Sequence, residues 1–237
     1  MNNIIRRLET QDWSGITETL HDKGYCVADN VLTTEECNQL IRNYTDADLY
    51  RKTIVMERYR FGSGEYKYFK YPLSSLITAM RQTVYTHIAP VANKWMEVLQ
   101  TGKTFPDTHE ELLQQCRAAG QDKPTVLILK YGAGGFNTLH QDLYGDIYFP
   151  LQIVLFLNEP GKDYTGGEFV LTEQIPRAQS KANVLQPRQG SMLIFTTNFR
   201  PVKGSKGYYR VNMKHGVSPV YNGNRHTLGI IFHDALS

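Results

Sequence analysis

Cysteine, net charge and long apolar runs are all scarce in this sequence. Its three cysteines, Cys26, Cys37 and Cys116, are far apart and form no Cys-x-x-Cys pair, which argues against a disulfide framework or a zinc knuckle. The net charge is only +3, so a surface that binds nucleic acid would have to be a local basic patch. No run reaches the roughly 18 apolar residues of a membrane span, and no membrane partner is expected.

The first residues, MNNIIRRLETQDW, become polar and acidic before any apolar run of signal-peptide length, so we expect a cytoplasmic protein. Internal repeats and low-complexity tracts are also missing, and the sequence indicates no oligomeric state. What is present is a globular composition, with 41% hydrophobic and 21% charged residues, which can build a packed core.

The composition changes near residue 124, because residues 1–130 hold only six of the 19 glycines. The first part predicts at least three helices. Thr33–Tyr44 and Thr108–Ala119 each open with a Thr-x-x-Glu capping box, a signature of a helix N-terminus. Leu73–Gln100 is periodically apolar, and Pro90 is expected to kink or split this helix.

From residue 125 onward, short apolar runs alternate with Gly, Pro and Asn. The runs are TVLILKY, LQIVLFLN, EFVLTE, SMLIFTT, RVNMKHGV and HTLGIIFH. This spacing predicts a β-sandwich, barrel or jelly roll without the strand-helix alternation of a parallel sheet. We therefore expect one domain over residues 1–237, in which a helical or mixed part (1–124) buttresses a mostly β core (125–237).

His140, Asp142 and His215 are the candidate metal ligands. On a strand, two residues two apart point to the same face, which would let His140 and Asp142 bind one ion. His215 lies on a later strand and shares a face with the apolar Met213 and Val217. Two imidazoles and one carboxylate leave one side of a metal open, as in non-haem Fe(II) oxygenases. Each histidine taken singly is more often a structural residue of a sheet.

Arg225 and Thr227 follow on one face of the last predicted strand. A guanidinium that points into a barrel is costly to bury unless an anion meets it, and a carboxylate fits it bidentately. With the metal site, this pair predicts a dicarboxylate ligand. A non-enzymatic metal-binding jelly roll, which remains an alternative, would not need such an anchor.

Together these residues resemble the 2-oxoglutarate and Fe(II)-dependent oxygenases over about residues 125–235. YGAGGFNTLHQD is similar to the metal strand of AlkB-type enzymes that dealkylate DNA, and HGVSPV followed by Arg225 is similar to prolyl hydroxylases. GEYKYFKYPL, LHQDLYGD, GGEFVLTEQ and RHTLGIIFHDA resemble a bacterial oxygenase group labelled as acting oxidatively on methylated, damaged DNA.

The resemblance implies a double-stranded β-helix of jelly-roll type that uses Fe(II), 2-oxoglutarate and O₂. It assigns the catalytic iron to His140, Asp142 and His215. It assigns the far carboxylate of 2-oxoglutarate to Arg225, assisted by Thr227 and Tyr131. AlkB-type enzymes carry a second arginine six residues after the first, where this chain has Ile231, and His233 is a candidate to donate a hydrogen bond instead.

The substrate is the least determined feature. Residues 51–72 hold six Lys or Arg, two Glu and six aromatics, a mixture suited to phosphates and unstacked bases. Residues 200–214 add five cations and no acid. These segments favour demethylation of single-stranded or flipped-base nucleic acid, with 51–72 as a candidate lid. A plain β-hairpin is the alternative for 51–72. A peptide (prolyl-type) or small-molecule hydroxylase is the alternative function.

Overall fold

The structure, a computed structural model, describes residues 2–175 and 177–237. Both predicted capping boxes begin helices: Thr33 and Thr108 each accept a hydrogen bond from the backbone of the glutamate three residues later, which bonds back to the cap. Within the described residues the α-helices are α1 (Asn2–Glu9), α2 (Trp13–Lys23), α3 (Thr34–Arg42), α4 (Ser75–Val98) and α5 (His109–Ala118).

Pro90 does not split α4, which runs without interruption from Ser75 to Val98. The proline and Thr86, whose carbonyl loses its helical partner, are both exposed, so water can satisfy that carbonyl. Ala89 and Val91 on either side are buried. Burial of the apolar face outweighs the local cost of the proline, and the prediction of a split is wrong.

The six predicted strands are all present. The strands of the described residues are β1 (Tyr25–Ala28), β2 (Tyr50–Val55), β3 (Gly62–Ser63), β4 (Glu65–Phe69), β5 (Leu127–Tyr131), β6 (Phe136–His140), β7 (Leu151–Phe156), β8 (Tyr164–Gly166), β9 (Phe169–Gln174), β10 (Lys181–Leu185), β11 (Met192–Thr196), β12 (Phe199–Gly204), β13 (Gly207–Val217), β14 (Val220–Gly223) and β15 (Arg225–Ile231).

The strands form two large antiparallel sheets and one small one. The larger has the order β1-β11-β7-β15-β5-β4-β2. The second has the order β10-β9-β13-β6-β3, with β12 beside β13, and β8 pairs with β14. Apolar side chains of β7 and β11 meet those of β9 between the two large sheets. This is the expected jelly roll.

The helices cover the outer face of the seven-stranded sheet. Leu8 of α1, Leu20 of α2, Met80 of α4 and Leu112 of α5 belong to the same buried cluster as Ile153 of β7. The expectation that the helices buttress the β part is confirmed, because the two share one apolar core.

Cys26, Cys37 and Cys116 are unpaired among the described residues, and the last two are buried. Over the same residues, no helix is both long and apolar enough to cross a membrane.

Residues 51–72 form a β-hairpin at one edge of the larger sheet, as the alternative reading predicts. β2 pairs with β4, and β4 continues the sheet by pairing with β5. The tip of the hairpin, residues 56–64, pairs through β3 with β6 of the opposite sheet. Gly62 makes this possible, because a Cβ there would lie 2.2 Å from the Phe136 carbonyl oxygen.

Candidate active site

The two candidate histidine ligands are neighbours across a strand pair. His140 at the end of β6 is the register partner of His215 on β13, and side chains of such partners share a face. Their ring centroids lie 4.2 Å apart. Met213 and Val217 are buried beside His215 while Lys214 is exposed, as the strand alternation predicts.

Asp142 does not lie on the strand of His140, which corrects the argument from strand alternation. β6 ends at His140, and Asp142 stands in the loop that follows. The loop is held by Gln141, whose amide donates to the carbonyl oxygens of Asn198 and Met213 at 2.8 Å each. These two hydrogen bonds hold the loop so that the Asp142 carboxylate faces the imidazoles of His140 and His215.

The three side chains converge as a metal-ligand set. One ligand atom from each lies within 4.8 Å of the others. Asp142 Oδ2 is 3.1 Å from His215 Nε2, and Asp142 Oδ1 is 3.6 Å from His140 Nε2. His140 Nδ1 donates to the Thr138 carbonyl oxygen at 2.8 Å, so Nε2 presents its lone pair, as a ligating imidazole must.

The protonation of Asp142 and His215 also suits a divalent cation. Burial alone would raise the pKa of Asp142, but the neighbouring histidines and the hydrogen bonds it accepts hold that pKa well below its ordinary value. Burial, aided by His140, lowers the pKa of His215. An ionised carboxylate beside a neutral imidazole is the state that metal binding requires.

Arg225 is a fully buried cation that has no counter-ion among the described residues, and comparison with Arg81 makes this clear. Each is 1% exposed. Arg81 is paired with Asp234 at 2.7 Å and also donates to backbone carbonyls. None of the three nitrogens of the Arg225 guanidinium has a hydrogen-bond partner among residues 2–175 and 177–237. A buried unpaired charge is strongly unfavourable, so this group fits an anionic ligand.

Thr227 and Tyr131, which the resemblance assigns to the same ligand as Arg225, lie beside it. Tyr131 on β5 is the register partner of Arg225 on β15, and its ring centroid is 5.6 Å from the guanidinium carbon. All three side chains are buried and line one cavity. Burial raises the pKa of Tyr131 to about 12, so its hydroxyl keeps its proton.

Ile231 lines the same cavity, whereas His233 does not belong to its described lining. His233 Nδ1 instead accepts a hydrogen bond from the Phe149 amide at 3.1 Å. The Nε2 of His233 is buried without a hydrogen-bond partner among the described residues, so the role of His233 as the donor that replaces a second arginine stays a prediction.

The cavity joins the metal-ligand set to Arg225. Its volume is about 260 Å³, and it lies between the two large sheets. Phe195 also forms a wall, since its ring meets that of His215 edge-on at 4.9 Å. Met192 is part of the buried core.

Tyr144 and Gln152 of the site were not singled out from the sequence, and Tyr68 and Phe61 were included only as members of the candidate lid 51–72. Tyr144 donates to Asp142 Oδ1 at 2.9 Å, and Tyr68 donates to Tyr144 at 3.2 Å. Gln152 and Phe61 line the cavity. The sequence could have indicated Tyr144, because it follows Asp142 by two residues. Tyr68, Gln152 and Phe61 come from strands or loops distant in sequence.

The two candidate substrate segments differ in their position. Phe61 brings the hairpin tip to the cavity, and Arg58, Tyr59 and Arg60 beside it are exposed. In 200–214, Arg200 is buried and paired with Glu173 at 2.9 Å, so it is not free to bind a substrate, contrary to expectation.

The turn of the 200–214 hairpin also lies well away from the metal ligands. It is eight residues from His215 along β13, which is roughly 26 Å of extended strand. The segment that the structure brings closest to the cavity is therefore 51–72.

A family model described as "Oxygenase, catalysing oxidative methylation of damaged DNA" matches residues 64–235. The chain belongs to this oxygenase family and is an oxidoreductase. Two uncharacterized proteins of Mycobacterium tuberculosis, MT2286 of strain CDC 1551 and Rv2227 of strain H37Rv, are each 46% identical to it over 167 residues, 70% of this chain and 72% of the relative.

Solved structures share the fold. A Trichoplax adhaerens prolyl hydroxylase, in complex with a hypoxia inducible factor peptide fragment, has a TM-score of 0.54 at 15% identity and covers 97% of this chain and 91% of its own. A Pseudomonas putida prolyl-4-hydroxylase has a TM-score of 0.52 at 14% identity, covering 94% and 98%. A Burkholderia pseudomallei oxidoreductase of the 2OG-Fe(II) oxygenase family has a TM-score of 0.51 at 14% identity, covering 94% and 92%.

Proposed function

We propose that this oxygenase uses Fe(II), 2-oxoglutarate and O₂ to demethylate alkylated nucleic acid by oxidation. The observation that carries the proposal is that one cavity holds the cluster of His140, Asp142 and His215 together with the unpartnered guanidinium of Arg225. The cluster offers the ligands of a non-haem iron site, and the guanidinium offers the partner of a carboxylate.

Each residue has a defined part in this proposal. His140, Asp142 and His215 bind Fe(II) from one side and leave the other side for the keto acid and O₂. Arg225 pairs with the far carboxylate of 2-oxoglutarate, with Thr227 and Tyr131 beside it. When bound, Fe(II) would activate O₂, and 2-oxoglutarate would supply two electrons as it is oxidised to succinate and CO₂, which leaves the second oxygen atom of O₂ for the substrate.

The side chains around the site exclude water and direct the substrate. Phe195 and Phe169 shield His215 on two sides, with ring centroids at 4.9 and 5.8 Å. Hydroxylation of an N-methyl group leaves a carbinolamine that releases formaldehyde, so demethylation and hydroxylation are one chemistry. Selection of the substrate therefore depends on residues outside the metal cluster.

Nucleic acid is favoured by the family description, which names damaged DNA, and by the hairpin tip. Arg58 and Arg60 flank Tyr59 and Phe61, whose exposed rings stack on each other at 5.5 Å. Cations for phosphates beside rings for bases are the usual elements of single-strand recognition. Peptide or small-molecule hydroxylation is the second candidate, favoured by Ile231 at the place of the second AlkB-type arginine.

The first experiment tests the co-substrate site. Arg225→Met should weaken 2-oxoglutarate binding by about 100-fold or more, because it removes one partner of a buried ion pair, while Fe(II) affinity stays close to that of the wild type. Arg188→Met is the matched control, since Arg188 is exposed and lies outside the described lining of the cavity. An unchanged 2-oxoglutarate affinity would remove Arg225 from the site.

The second experiment tests the metal site and the substrate. Purified protein with Fe(II) and 2-oxoglutarate should form succinate, and His140→Ala or His215→Ala should abolish it. Formaldehyde release from methylated single-stranded oligonucleotides is compared with mass gain on proline-containing peptides and amino acids. Formaldehyde supports demethylation, and a gain of one oxygen on a peptide without formaldehyde supports the second candidate.

A further inference from the structure

Gln152 points into the cavity from the centre of the larger sheet. Its neighbours Leu151 and Ile153 belong to the core shared with the helices, so strand alternation turns Gln152 to the opposite side. The side chain is 3% exposed and lines the cavity. A long polar side chain is therefore enclosed between the two sheets.

The Gln152 amide is unsatisfied there. Its Nε2 is buried and has no hydrogen-bond partner among the residues that the structure describes. The amides of Gln141 and Gln121, by contrast, each donate to two backbone carbonyls. A buried amide without a partner is unfavourable in the free protein, and a ligand with an acceptor oxygen would relieve that penalty.

The sheet register places Gln152 at the metal end of the cavity. Its partners are Phe195 on β11 and Ile231 on β15, and the Phe195 ring meets the His215 ring at 4.9 Å. Arg225 lies six residues from Ile231 along β15, at the other end. The cavity thus has donors at both ends that lack a hydrogen-bond partner among the described residues: Arg225 and the Tyr131 hydroxyl far from the metal ligands, and the Gln152 amide near them.

We propose that Gln152 binds the metal-end carboxylate of the keto acid and is thereby a second anchor for the co-substrate. This inference rests on the proposed use of 2-oxoglutarate. Gln152 donates its amide hydrogen to an oxygen of that carboxylate. The donor comes from β7, because Ile231 on the neighbouring strand β15 is apolar and offers none. Arg225 and Gln152 then bind opposite ends of the same molecule and set its direction in the cavity.

The test separates the two ends by ligand and by variant. Fe(II)-loaded protein without O₂ is titrated with 2-oxoglutarate and with 2-oxobutyrate, which keeps the keto acid and lacks the far carboxylate. The readout is the visible absorption of the keto acid on Fe(II). Gln152→Met, similar in size without a donor, should weaken both ligands by about tenfold. Arg225→Met should weaken 2-oxoglutarate alone.

Two controls distinguish an anchor from a structural residue. Ligand-free Gln152→Met should unfold at a temperature equal to or above that of the wild type, because no protein hydrogen bond is lost, and Gln152→Leu repeats the test should Gln152→Met fold poorly. Gln174→Met, at the exposed end of strand β9, should change neither ligand affinity.

The outcomes are separable. If the wild type does not bind 2-oxoglutarate, the proposed function fails and this inference fails with it. If the wild type binds both ligands and the Gln152 variants bind them equally well, the function stands and the role of Gln152 is overturned. If the Gln152 variants lose affinity for 2-oxoglutarate alone, the role is also overturned, because Gln152 would then lie at the far carboxylate.

Discussion

At the scale of single residues, the Asp142 carboxylate is oriented by a chain of hydroxyls. Tyr144 donates to its Oδ1, Tyr68 donates to Tyr144, and the Arg51 guanidinium lies 4.6 Å above the Tyr68 ring. Burial and the charge of Asp142 raise the pKa of Tyr144 well above its usual range, so Tyr144 remains a donor. Because Tyr144 bonds to Oδ1, the other carboxylate oxygen, Oδ2, which is nearer His215, can face the proposed ion.

Tyr144→Phe should reduce Fe(II) affinity by about tenfold or more, in line with the loss of other hydrogen bonds to metal ligands, while the fold is retained. Binding of Fe(II) or Mn(II) measured by calorimetry checks this. Tyr148→Phe, four residues along the same loop, is the control. Equal affinities for wild type and Tyr144→Phe would show that Asp142 needs no such support.

At the scale of elements, the hairpin formed by β2 and β4 connects the sheet to the mouth of the cavity. The backbone amide and hydroxyl of Thr138 on β6 both donate to the Phe61 carbonyl oxygen, at 2.9 and 2.8 Å. The tip is thus fastened two residues from His140. Its exposed rings are held at a fixed position beside the metal ligands, which suits a substrate platform better than a freely moving lid.

Phe61→Ala and Tyr59→Ala should each lower kcat/KM for a methylated oligonucleotide by roughly 5- to 150-fold, because stacking of a base on an aromatic ring contributes about 1–3 kcal/mol. The KM for 2-oxoglutarate should not change. Tyr221→Ala, an exposed ring outside the hairpin, is the matched control. The platform would be excluded if the Phe61, Tyr59 and Tyr221 variants behaved alike.

At the scale of the whole molecule, three buried histidines couple stability to pH. Burial lowers the pKa of His109 to about 3 and those of His226 and His233 to about 4. The unfolded chain has ordinary histidine pKa values near 6.5, so between about pH 4 and 6.5 it binds more protons than the folded chain. The free energy of unfolding must therefore fall as the pH falls through this interval.

Each such histidine contributes up to about 1.4 kcal/mol per pH unit to this slope. Urea unfolding at pH 7, 5.5 and 4.5 should show this fall in the free energy of unfolding, and His109→Gln should flatten the slope.

We also propose that residues 1–237 unfold in one transition, since the helices and the larger sheet share a core. Two separate transitions would contradict the single unfolding unit, and an unfolding free energy that does not change with pH would contradict the role of the histidines.

Much of the fold and part of the site were predictable because they depend on local patterns. Capping boxes begin α3 and α5, and the alternation around His215 places Met213, His215 and Val217 inside. The position of a buried polar side chain such as Gln152 was not predictable, since the other five residues of β7 read only as an apolar strand.

The amino-acid sequence by itself determined the strands, the capped helices and the order of His140, Asp142, His215 and Arg225, because periodicity and capping act over a few residues. Only the tertiary structure decided that Asp142 stands in a loop and that Gln152 lies beside Ile231. It also decided that Arg81 and Arg200 are paired, while Arg225 has no partner in the part of the chain that the structure describes. These features depend on cross-strand register and on which charges meet after folding, and both join residues far apart in the chain.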